Sequence, residues 1–443
     1  MAETALDDLP VELKILILFQ VPDGGTLKSL VHASPGYHQV YLAVRNPLLR
    51  LLVKRQYNGF LDLAEALTAI RSKGVRYAYQ DEKVICLLDN WRRRNEIRQI
   101  GQSSSNRLDE PDSLEETIKL LHFHKMLRFF LEGFSNNAPR PPFIEPVQWE
   151  REYLPLSLSV SEKRRFLRAI CRFQILKNIF GEPVQCLDHP ECDTCGDWGK
   201  YWQLKVDDVS VDSEVVRVEA YHLFYGPMPL WEHDELGSVF GYLITKIEGI
   251  AKEIANDLRQ LSKNTPCEFF WDIFAEEQRL PAGCDIDSER DLVHFDQHYE
   301  GLAGLGPEFI YHILHMDRLS RRNIVCVNTR GFWPGPFIGY GVELSQSIQF
   351  PFIDPADRLD SPNFEQFWST LLPLEQPTVG WKKAWLLPLS QGDNLDDSMN
   401  HDREKDKDWD WSYALWDERR LKEWKAPLVE EDGPFNSPGR RIS

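Results

Sequence analysis

The densest apolar stretch of the chain lies almost at its start. In "LDDLPVELKILILFQV" (residues 6–21) Leu13, Leu16/Ile17 and Val21 recur at helical spacing behind Pro10, a residue suited to a first helical turn. Pro22-Asp23-Gly24-Gly25 should end that helix. A second helix is expected over Thr26–Ala33, with Thr26 as cap, closing before Ser34-Pro35-Gly36. A third runs from Tyr37 to about Arg55, where Pro47 predicts a kink or a break.

Further on, helical patterning returns over Leu61–Arg71 and Leu114–Leu131, around a polar break at 101–112. The proline-rich "SNNAPRPPFIEP" (135–146) reads as an extended linker. The strongest pattern follows: Ser161 as cap, one stripe of Phe166, Ile170, Phe173, Leu176/Ile179 and Phe180, and Gly181 as the stop. Helices are also expected over 230–258 and 306–316, with loops at 183–216 and 393–408. No internal repeat is visible. The prediction is a mainly α chain in three parts: an N-terminal three-helix module (1–50), a helical segment (55–133) and an irregular, mostly helical body (147–443).

Composition agrees with a globular protein, at 42% hydrophobic and 27% charged residues with 14 Trp and 24 Phe. Charge narrows the partners. With 51 basic against 69 acidic residues the net charge is −18, which disfavours nucleic acid and anionic membrane as partners of the whole chain. No signal-peptide pattern and no membrane-length apolar run is present, so a cytoplasmic or nuclear protein is expected, its eight cysteines reduced.

Candidate chemistry is sparse. Cys186, His189, Cys192 and Cys195 are spaced C-x2-H-x2-C-x2-C, whereas structural zinc usually takes two ligand pairs separated by a longer loop. A reduced loop is the preferred reading. His294, Asp296 and His298 lack the HExxH context of a helical metal site. "GLAGLG" (301–306) follows no strand run, there is no GxxxxGK[ST] and no GxSxG elbow, so neither phosphate cradling nor nucleophilic catalysis is indicated. Lys163, Arg164, Arg165, Arg168 and Arg172 should form either a solvated helix face or internal ion pairs with the acidic excess. A non-catalytic protein with no cofactor and no metal is expected.

Taken together, Leu9-Pro10-x-Glu12-Leu13, then Ile17, Val21, Leu27 and Leu30, and "ASPGYHQVY" (33–41) resemble an F-box, in the F-box-like form common in filamentous fungi. "SEKRRFLRAICRFQI", "LWEHDEL", "GPEFIYHIL" and "YALWDERRL" extend that likeness patchily over most of the chain. Gly24-Gly25 and Gly36 depart from the common pattern. The resemblance implies a substrate adaptor of an SCF-type ubiquitin ligase, in which Leu9, Pro10, Leu13, Ile17, Leu27 and Leu30 contact a Skp-type adaptor and, through it, a cullin-RING ligase. Glu12 would sit where a carboxylate suits the helix dipole. The body would bind an unknown protein target, with Trp333, Trp409, Trp411 and Trp416 as candidate contacts, although core packing is the default for each of them taken singly. Competing readings make residues 6–50 the first helices of one continuous helical core, the protein an interaction or scaffold protein acting outside a ubiquitin ligase, or, last in order, an enzyme with a dispersed site.

Overall fold

The computed structural model describes residues 9–94, 110–181, 218–263, 301–329, 366–371, 373, 375–385 and 411–426. Among them the structure is helical, with no strand, as a mainly α pattern predicts. In chain order the principal helices are α1 (Val11–Gln20), α2 (Gly24–Ala33), α3 (Pro35–Tyr57), α4 (Leu63–Arg71), α5 (Tyr77–Arg92), α6 (Leu114–Asn137) and α7 (Val160–Phe180). They are followed by α8 (Leu230–Lys263), α9 (Pro307–His315), α10 (Arg318–Thr329), α11 (Val379–Trp385) and α12 (Glu418–Glu423).

Capping decides several boundaries. α2 begins at Gly24 rather than Thr26, because the Asp23 carboxylate accepts from Thr26 N (2.9 Å) and Thr26 Oγ1 (2.8 Å). α3 is capped by Ser34 and opens on Pro35; it runs on through Pro47 without ending there. Leu48, Leu49 and Leu52 are buried just beyond that proline, and their packing offsets the hydrogen bond it lacks. α7 starts at a reciprocal capping box, Ser159 Oγ accepting from Glu162 N (3.1 Å) and Glu162 returning to Ser159 N (2.9 Å). The cap is therefore Ser159 and not Ser161.

Helices α1–α3 enclose their own core of Leu18, Val21, Leu27, Val31, Tyr37, Val40, Leu48, Leu49 and Leu52. That core is seated on α6 through Leu114 and Leu121. The lower end of α3 belongs to the body: Val53 and Tyr57 join the main core, and Tyr57 OH donates to Leu120 O (2.9 Å). One continuous helix thus crosses the expected boundary between residues 50 and 55. The expected linker is also packed structure, since α6 continues to Asn137, Ala138 and Ile144 are buried, and Trp149 Nε1 donates to Ala138 O.

The body is built round α7. Nearly every turn of it is covered, by α4, α6 and the first half of α8. The segment 411–426 returns to close this arrangement. Trp416 stacks on Phe134 (5.6 Å), Asp417 accepts from Ser161 (2.7 Å) and Ser159 at the head of α7, and Arg420 pairs with Glu162 (2.7 Å). Of the candidate target contacts, Trp411 and Trp416 take the default fate and are core residues at 9% and 0% exposure. Trp333 and Trp409 lie outside the described residues.

Candidate functional site

Helix α1 leaves much of its apolar surface open. Of its ten residues only Lys14 and Leu18 are buried. Val11, Leu13 and Leu16 stand 55%, 45% and 59% exposed. Leu9, Leu13, Leu16 and Gln20 fall on one side at i, i+4, i+7 and i+11, while Leu18 faces α3. Half-burying three such side chains against a partner contributes about 1 kcal/mol each.

The residues expected to meet a partner divide by depth. Pro10, Glu12 and Leu13 are exposed; Leu9, Ile17 and Leu30 are half-buried, the last two packed against the module core. Leu27 is 4% exposed and belongs to that core, so it offers no surface. Val11 and Leu16 were not singled out from sequence. Counting the period from Leu9 along the far side of the helix would have found Leu16. Glu12 lies in the first turn, as the macrodipole favours. The Thr26 backbone N–H, aided by its hydroxyl, holds the Asp23 carboxyl below its ordinary range.

A second constellation lies inside the body. Four carboxylates and three guanidiniums alternate in one chain. Asp62 and Glu65 meet Arg94 (both 3.2 Å), Glu65 meets Arg172 (3.3 Å), Arg172 meets Glu232, and Arg168 bridges Glu232 (3.0 Å) and Glu235 (2.6 Å). Trp91 Nε1 also donates to Glu65 (3.2 Å), and the Arg172 guanidinium lies 5.3 Å from the Trp91 ring centre. The basic run on α7 is thus drawn largely into internal ion pairs, because α8 begins with the acids of "LWEHDEL". Burial raises the pKa of Glu235; for Glu232 burial acts the same way but Arg172 and Arg168 outweigh it, and the net shift is downward. Beside this chain Asp234 accepts from Trp381 Nε1 (2.8 Å) and Tyr413 OH (2.6 Å), tying α8 to α11 and the C-terminal segment. These contacts interlock and are mostly buried, and their geometry cements helices together.

A hollow of about 400 Å³ opens between α6 and residues 156–158, floored by Leu131, Leu156 and Leu158 and rimmed by Arg128 and Lys163. No group of three metal-capable side chains occurs among the described residues, and Cys186, His189, Cys192, Cys195, His294, Asp296 and His298 lie outside them. "GLAGLG" is a joint between helical segments: Gly306, at φ +93°, turns the chain into α9, and a Cβ there would come within 3.0 Å of Lys177. No helix among the described residues is long and apolar enough to cross a membrane.

Compared with known proteins, the chain matches no family model, no curated protein and no solved structure.

Proposed function

We propose that the protein is a substrate adaptor of an SCF-type ubiquitin ligase, acting in the cytoplasm or nucleus. Helices α1–α3 form an F-box-like module that docks a Skp-type adaptor and through it a cullin-RING ligase, and the helical body receives the protein target. One observation carries this reading: an N-terminal helix rich in apolar residues leaves Val11, Leu13 and Leu16 open although a core is available beside it. An isolated soluble protein gains nothing from such a face, whereas a partner that covers it does. The resemblance of Leu9-Pro10-x-Glu12-Leu13 and its downstream spacings to an F-box names the class of partner. The hollow beneath Arg128 and Lys163 is a candidate place for target contact.

Co-purification of the full chain with a Skp-type adaptor tests the proposal. Wild type should retain the adaptor. Leu13→Asp and Leu16→Asp should lose it while unfolding within about 0.5 kcal/mol of wild type, because both side chains already face solvent. No retention by wild type, or equal retention by all three chains, overturns the reading.

A further inference from the structure

The charge on helix α3 runs against that of the chain. Helix α3 carries Arg45, Arg50, Lys54 and Arg55 and not one acidic residue, in a protein of net charge −18. All four are exposed. His38, Leu42, Asn46, Arg50 and Lys54 follow one another at four-residue intervals along an open face, with Leu42 49% exposed among them. Over the described residues 9–57 the acids are Glu12 and Asp23, against Lys14, Lys28 and the four cations of α3. Arg55 Nη1 donates to Phe19 O (2.6 Å), so the basic end of α3 lies against the last turn of α1. Arg45 and Lys54 form no ion pair among the described residues, and Arg50 reaches only the exposed Glu110 at 3.9 Å.

A basic face on a chain of net charge −18 reverses the field locally and favours the approach of an acidic surface over a basic one. We infer that the protein partner covering α1 presents carboxylates around an apolar patch, and that α3 steers it into place by charge. This rests on the docking reading of α1 and adds to it the chemistry of the partner and the role of a helix outside the apolar contact. The apolar side chains then hold the complex, and the cations set how fast it forms.

Association kinetics of the full chain with a purified Skp-type adaptor test the inference. The on-rate should fall roughly tenfold between low and high salt, with the off-rate changing far less. Arg45→Glu/Lys54→Glu should cut the on-rate roughly fivefold at low salt and flatten the salt dependence. Lys125→Glu/Lys252→Glu, on the body, makes the same change in net charge and should leave the on-rate near wild type. Binding that ignores salt, or falls equally in both double variants, overturns the inference while the ligase reading stands. No adaptor binding at any salt overturns both. Salt-dependent capture of a 20-nucleotide RNA in place of the adaptor, abolished by Arg45→Glu/Lys54→Glu, assigns the face to nucleic acid and also overturns it.

Discussion

Arg172→Met removes one link from the middle of the buried charge chain. Arg172 is 7% exposed; Glu65, at 1%, and Glu232, at 7%, both lean on it. Methionine fills most of the volume and leaves each carboxylate with one cation, Arg94 for Glu65 and Arg168 for Glu232. Breaking a buried pair typically costs about 3–5 kcal/mol, and the surviving partners place this case near the lower end, about 3 kcal/mol. Against a typical total of about 5–15 kcal/mol that is a large fraction. Urea unfolding followed by tryptophan fluorescence measures it, with 14 Trp as reporters. The loss also has a pH signature. Burial opposes ionisation of Glu232, and Arg172, with Arg168, holds its carboxyl below the ordinary 4.5; the stability this supplies is present above about pH 4.5 and is lost as pH falls through the lowered value. Without Arg172 burial is less opposed and Glu232 takes up a proton more readily when folded. The gap between wild type and variant should therefore be widest near pH 7 and narrow toward pH 4. Arg172→Met/Glu232→Gln should recover part of the loss. A cost below about 1 kcal/mol at pH 7, or a gap that widens on acidification, refutes the account of these residues as mutually dependent buried charges.

Two further outcomes follow from local chemistry. Asp23→Ala removes the cap of α2 and should cost about 1 kcal/mol of unfolding free energy, restored largely by Asp23→Asn, since either side chain accepts from Thr26 N. His124 is packed by Tyr57 and Phe60, and burial, reinforced by Arg128, brings its pKa down to about 4. The unfolded chain binds this proton near pH 6.5 and the folded chain does not, so stability should decline as pH falls from 6.5 and level off below 4, by at most about 3 kcal/mol; His124→Phe should lose that part of the pH dependence in thermal scans across the range.

The helices were legible because apolar spacing and capping residues act within one or two turns. Residues 11–20, 63–71 and 307–315 fall within a residue or two of the expected spans. Where expectation missed, a competing local partner was usually responsible: Asp23 outcompeted Thr26, and Ser159 outcompeted Ser161 through its return bond from Glu162. Of the kink or break expected at Pro47 the break does not occur, because packing on the inner side of α3 outweighs a missing hydrogen bond. The candidate docking face was half legible. Leu13 could be read, but helical spacing alone does not say which side of α1 meets the core, so Leu16 stood in the helical pattern without being named as a partner contact.

By itself, then, the sequence determined the helical class, most element positions, the negative charge of the chain and the basic character of one terminal helix. The tertiary structure alone decided that α7's arginines pair with acids up to 252 residues away, that Trp411 and Trp416 lie in the core, and that α3 joins module to body. The difference is one of range: helix propensity, capping and charge count are sums over neighbours, whereas burial depends on which distant segment arrives to cover a face.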